Sequence, residues 1–156
     1  MRADITGADL RPVLVVEDSD DDFDTVVIAA ARAKVGNLLV RASDADAARR
    51  LLAADTAGSF AFMLFDHTLP GPDGLAFLDE VRRDGSLAGL PVVVFTTSVN
   101  PRDRAVFFAA GASAFHVKNV QHSDCLDTLQ SIFGRWLNGA PPPNDAAVSL
   151  PALRPA

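Results

Sequence analysis

Tyrosine is absent from the chain, tryptophan occurs only at position 136 and cysteine only at position 125. A lone thiol excludes an internal disulfide and suits a reducing compartment. The aromatic content is almost wholly phenylalanine, which fits core filling better than the stacking of bases. Basic residues are the minority, 14 against 20 acidic ones, for a formal net charge of -6. Such a balance argues against a surface made to neutralise nucleic-acid phosphates or anionic lipid. No apolar run approaches the roughly 20 residues of a membrane span, and the stretch from Met1 to Pro12 carries acids without the apolar segment of a signal peptide. The expected setting is therefore cytoplasmic, with neither nucleic acid nor membrane as partner.

What is present is enough for one folded unit: 156 residues, 49% of them hydrophobic. Short apolar runs alternate with longer amphipathic stretches, the pattern of βα units feeding a parallel sheet. Strands are expected at Val13 to Val16, Leu38 to Val40, Ala61 to Phe65, Pro91 to Phe95 and Ala114 to Val117. Their apolar residues run without alternation, so both faces of the sheet should be covered. Helices are expected between them. The first spans about Asp22 to Lys34 and stops before Gly36 and Asn37. The second opens on a capping box of Ser43 and Asp46, and the third runs from Gly74 to Arg83. The fourth is capped by Asn100 and stops near Gly111, and Phe107 or Phe108 on it is expected at a partner face. The fifth, Ser123 to Leu137, carries a wide apolar face through Leu126, Leu129, Ile132, Phe133 and Trp136. The prolines at 141–143, 151 and 155 preclude further helix at the end.

Ligands of an open parallel sheet bind at the carboxyl ends of its strands. Every unusual polar residue here falls at such an end. Glu17 and Asp18 follow the first strand, Asp66 the third, Thr96 the fourth and Lys118 the fifth. Crowded carboxylates are tolerated mainly beside a cation, and a hard oxygen site suits Mg²⁺ or Mn²⁺. Asp66 would then serve as nucleophile towards a phosphoryl group, with Lys118 and Thr96 stabilising the transferred oxygens.

Four segments carry a family resemblance: Val13-Leu14-Val15-Val16-Glu17-Asp18, Phe65-Asp66-His67-Thr68-Leu69-Pro70-Gly71-Pro72-Asp73-Gly74, Pro91 to Ser98, and Gly111 to Lys118. In order and spacing they resemble the signature segments of bacterial response-regulator receiver domains, over roughly Pro12 to Leu137. The resemblance implies a flavodoxin-like, doubly wound (βα)5 α/β fold with a five-stranded parallel sheet. It also implies a stand-alone, CheY-like receiver at 12–138 between a flexible segment at 1–11 and a Pro-rich tail at 139–156. Asp66 would accept the phosphoryl group, Glu17 and Asp18 would form the acidic metal pair, and the backbone carbonyl of Thr68 would complete the metal set. Thr96 would be the switch hydroxyl, Phe115 the switch aromatic and Lys118 the phosphate-sensing ammonium. A sensor histidine kinase is the implied donor, and no enzymatic activity is implied beyond the chain's own phosphorylation and dephosphorylation. The segment Ser131-Ile132-Phe133-Gly134-Arg135-Trp136-Leu137 is similar to a subgroup of single-domain receivers, some of which serve phytochrome-type kinases. Homodimerisation through the fourth helix, fifth strand and fifth helix is a further expectation, supported by Phe133, Trp136 and Leu137.

Two positions depart from the family: Asn119 replaces the usual proline after the lysine, and His67 follows the acceptor where an aliphatic residue is common. Other readings stand beside this one. Asp20, Asp21, Asp22 and Asp24 read as a solvated helix start, where the dipole favours acids. His67, His116 and His122 lack a metal-ligand spacing, and Cys125 reads as a small packing residue. A phosphohydrolase of the haloacid dehalogenase type would need an acid at position 68, where threonine stands. An unphosphorylated scaffold would have no need to keep Glu17, Asp18, Asp66, Thr96 and Lys118.

Overall fold

The computed structural model describes residues 10–54, 60–66, 73–118 and 121–137. The strands are β1 (Val13–Val16), β2 (Leu39–Ala42), β3 (Met63–Asp66), β4 (Val92–Thr96) and β5 (Ala114–Val117). They alternate with helices α1 (Asp20–Arg32), α2 (Ala45–Ala54), α3 (Asp73–Arg83), α4 (Pro101–Ala109) and α5 (His122–Leu137). All strands pair in parallel in the order β2-β1-β3-β4-β5. Every residue of β1, β3 and β4 is buried, as expected where helices cover both faces.

Alternate residues of each strand feed separate cores. Leu14, Val16, Met63, Phe65, Val92, Val94 and Phe115 pack on the side of α2, α3 and α4. Val13, Val15, Leu64, Val93, Phe95 and Ala114 pack against α1 and α5. The apolar face of α5 is used up there. Phe133 and Leu137 are buried, and Phe62 meets the rings of Phe133 and Trp136 at 6.1 and 6.4 Å. That face therefore supplies core, so Phe133, Trp136 and Leu137 lend no support to the expected dimer surface. Phe107 is buried and Phe108 half-buried against Phe115, so it is Val106 and Val99 that α4 and its approach expose.

Element ends shift for local reasons. Helix α1 starts two residues before the expected Asp22 because Ser19 caps it, its hydroxyl accepting from the Asp22 N–H at 3.2 Å. It closes before Gly36, with Lys34 in the left-handed region at φ 59°. The Lys34 N–H bonds Ala31 O and the Val35 N–H bonds Ala30 O, which satisfies the last carbonyls. Helix α2 is capped by Asp44, whose Oδ1 accepts from the Ala47 N–H at 2.7 Å; this single cap, one residue on, replaces the expected box of Ser43 and Asp46, since Ala47 has no polar side chain to bond back. Asn100 caps α4 as expected, accepting from the Arg102 N–H at 2.9 Å. Gly111 ends it at φ 112°. Strands β3 and β4 extend one residue beyond their expected ends, so Asp66 and Thr96 are themselves the last residues of their strands. Among the described residues, no helix is long and apolar enough to cross a membrane. The expectations for 1–9, His67, Thr68, Asn119 and 138–156 lie outside the described residues.

Candidate functional site

Strand order reverses between β1 and β3, since β2 lies on one side of β1 and all later strands on the other. Helices leaving such neighbours diverge to opposite faces and open a crevice at the carboxyl edge. Glu17 stands at the end of β1 and Asp66 at the end of β3, on either side of that crevice. Both are only 2% exposed, and Thr96 at the end of β4 is 1% exposed. Buried acids without compensation are strongly unfavourable.

Compensation arrives from β5. The Lys118 ammonium, its side chain 10% exposed, contacts Oδ2 of Asp66 closely. It also lies 3.1 Å from Asp22 Oδ2 and 3.7 Å from Glu17 Oε1. The Phe95 ring lies beneath it, 5.5 Å from the nitrogen. Burial pulls the Lys118 pKa down, but Asp66, Glu17 and Asp22 together outweigh it and the net shift is upward. One ammonium does not neutralise the cluster. Burial above all, reinforced by the adjacent Asp66, pushes the Glu17 carboxyl up to about 9. The second oxygen of Asp66, Oδ1, is buried and has no hydrogen-bond partner among the described residues. An orphaned buried acceptor costs about 1–3 kcal/mol, so the site holds an atom whose natural complement is a cation or an electrophile.

The structure brings together Glu17, Asp66, Thr96 and Lys118 from the sequence-derived set. Thr96 Oγ1 accepts from the Ser98 N–H at 3.1 Å, and the Lys118 N–H bonds Thr96 O, tying β5 to β4 at the site. Phe115 packs on the α2, α3 and α4 side of the sheet, buried against Phe107 and Phe108 at 6.1 and 6.4 Å. Asp18 is not in the cluster. It is exposed in the loop between β1 and α1, and the carboxylates whose oxygens lie within 4.8 Å of one another are Glu17, Asp22 and Asp66. Asp22, expected as a solvated helix acid, is half-buried and paired to Lys118. The signal was available in the spacing. Ser19 three residues before Asp22 is a capping pattern, and with the helix starting at Asp20 the side chain at position 22 projects back over the strand ends. A cavity of about 260 Å³ adjoins the cluster between α1 and α5, lined in part by Glu17, Asp22, Thr97, Lys118 and Cys125.

The family model for the response regulator receiver domain matches residues 13–130. The chain belongs to that family. The receiver is 28% identical over 148 residues to the response regulator Rcp1 of Synechocystis, with 91% of this chain and 94% of that protein covered. Its fold matches the crystal structure of the phosphorylated cyanobacterial phytochrome response regulator RcpA with a TM-score of 0.77 at 26% identity, covering 85% of this chain and 98% of that one. It matches the Mn²⁺-bound form of Rcp1 with a TM-score of 0.75 at 27% identity, over 84% and 97% of the two chains.

The donor set of the receiver fits a divalent cation on its own chemistry. Three carboxylates converge, one is driven to hold its proton, and a buried acid oxygen lacks a partner. All are hard oxygen donors, the kind that Mg²⁺ and Mn²⁺ select.

Proposed function

We propose that this receiver accepts a phosphoryl group on Asp66 from the phosphohistidine of a sensor histidine kinase, in a reaction that depends on Mg²⁺ or Mn²⁺. The observation that carries the proposal is the asymmetric state of Asp66, with Oδ2 held by Lys118 and Oδ1 buried without a hydrogen-bond partner among the described residues. Oδ1 attacks phosphorus in line with the histidine nitrogen. The P–N bond breaks, the electron pair stays on the imidazole, and the departing ring takes a proton from water. Lys118 stays beside the new aspartyl phosphate and offsets its charge. The Thr96 hydroxyl, which now accepts from Ser98, can turn its proton to a phosphoryl oxygen. The family resemblance assigns the cation to Glu17, Asp18, Asp66 and the Thr68 carbonyl, and Asp22 adds a carboxylate beside Glu17 and Asp66. Bound there, the ion supplies positive charge against the transferring oxygens.

Signalling then runs through protein contact. Movement of Thr96 frees space above β4, Phe115 repacks among Phe107 and Phe108, and the face of α4, β5 and α5 changes. We read that face as a homodimer surface, supported by the unpaired edge of β5 and by exposed Val99 and Val106, at 71% and 38%. The likeness to the cyanobacterial phytochrome response regulator RcpA supports a phytochrome-type kinase as donor. The net charge of -6 supports a protein that binds neither nucleic acid nor anionic membrane, the lone Cys125 suits the cytoplasm, and in this reading the chain acts on no substrate besides itself.

Incubation with a small acyl phosphate and Mg²⁺, followed by intact-mass measurement, should show one phosphoryl group added to the wild type and none to Asp66→Asn. Incorporation into Asp66→Asn, or none into the wild type with either donor or ion, would refute the assignment. Turnover of a generic phosphomonoester would point instead to a phosphohydrolase.

A further inference from the structure

The loop that carries Glu17 and Asp18 is held from outside by a residue of the neighbouring edge strand. Arg41 of β2 lies beside Val15 in the register of the sheet, and its side chain reaches over the strand ends. Its Nε donates to the backbone carbonyl of Glu17 at 3.0 Å. Its Nη1 reaches Asp20 Oδ1 at 2.7 Å, and its guanidinium lies 5.2 Å from the centroid of the Phe23 ring. The two bonds fall on either side of Asp18 and Ser19. The side chain is only 26% exposed, so the stem is packed and the fork is directed. The Glu17 N–H is separately fixed to Ala42 O at 2.9 Å, and Ser19 N–H to Glu17 Oε2 at 3.2 Å. Arg41 thus ties the backbone at the end of β1 to the first turn of α1, while Lys118 joins the carboxylates of Glu17 and Asp22.

We infer that Arg41 is a positioning residue for the cation site: its planar fork sets the path of residues 17–20, and with it the direction in which Asp18 and Glu17 present their carboxylates. The inference rests on the proposed cation-dependent reading of the site. A guanidinium suits the task because its planar fork bonds a carbonyl and a carboxylate in fixed relative directions, whereas the rotatable donors of an ammonium fix none. Partners that orient metal-binding side chains typically change affinity by about 10- to 100-fold when removed.

Charge alone predicts the opposite sign. A positive group near an acidic cluster disfavours a second cation, so if Arg41 acted only through its charge, removing it would tighten cation binding. The experiment is Mn²⁺ titration of the full chain, with the free ion read by its electron paramagnetic resonance signal, for the wild type, Arg41→Met and Arg41→Lys. Thermal unfolding of each without metal confirms that it is folded at the titration temperature. The expected result is affinity about tenfold weaker in Arg41→Met, with Arg41→Lys failing to restore it although the charge is kept. Unchanged or tighter binding in Arg41→Met overturns the inference, and so does full recovery in Arg41→Lys, which would make charge sufficient. If the wild type itself binds no Mn²⁺, the cation reading of the site falls and this inference falls with it; normal wild-type binding with indifferent variants removes only the role of Arg41.

Discussion

Gly111→Ala should be among the most damaging single substitutions outside the site, and its cost can be divided by a double-mutant cycle. Gly111 closes α4 at φ 112°, where a residue with a Cβ is strained by about 1–2 kcal/mol. A Cβ there would also stand 2.5 Å from Arg82 Cγ and 2.8 Å from its Nε, far inside contact distance. Arg82 cannot yield freely, because its Nε donates to Gly111 O at 2.9 Å and its Nη1 to Leu90 O at 2.7 Å. Displacing it forfeits charge-assisted bonds worth about 1.5–3 kcal/mol each. The expected loss is about 3–5 kcal/mol, read by urea unfolding, with Tm lower by about 10 °C or more. In an Arg82→Ala background the collision disappears and only the backbone strain remains, so the same glycine substitution should cost about 1–2 kcal/mol. Equal costs in the two backgrounds, within about 0.5 kcal/mol, would refute the claim that the Arg82 side chain is what excludes a Cβ at 111.

Metal-free stability should carry the signature of Glu17. Its carboxyl ordinarily titrates at 4.5 and is pushed up to about 9 in the folded chain, so between those values the native state keeps a proton that the unfolded state has lost. Stability present below pH 4.5 is therefore lost as pH rises towards 9. In EDTA, Glu17→Gln should remove that slope, and its advantage over the wild type should grow from pH 5 to pH 8 by up to about 1.4 kcal/mol per pH unit; a flat difference would contradict the raised carboxyl. Lys34→Gly should stabilise the chain by about 0.5–1 kcal/mol, because glycine occupies the left-handed position at the end of α1 without strain. Chemical denaturation checks it, and a destabilised variant would show that the Lys34 side chain matters more than its backbone.

The site was legible where chemistry coincides with strand ends. Glu17, Asp66, Thr96 and Lys118 each follow or finish an apolar run, and a parallel sheet sends the ends of such runs to one edge. Among the six acids from Glu17 to Asp24, chain position could not say which would turn inward. That depended on the register of α1, moved by the Ser19 cap, and on Lys118, which lies 96 residues away from Asp22. Asp18, adjacent to a buried strand, looked the stronger candidate and is exposed. A lone arginine on an edge strand carries no pattern, so Arg41 is not legible in the chain; its importance lies in reaching Glu17 O and Asp20 across a strand pairing.

The amino-acid sequence by itself determined the alternation of five strands and helices, the burial of the sheet on both faces and the residues delivered to its carboxyl edge. Those properties follow from apolar run length, caps and turns, which are local. Tertiary structure alone decided that the wide apolar face of α5 is spent on Phe62 and the core, that Asp22 pairs with Lys118, and that one oxygen of Asp66 is left without a partner. The reason is that burial and pairing depend on which distant groups arrive at the same place, and no local pattern records the arrival.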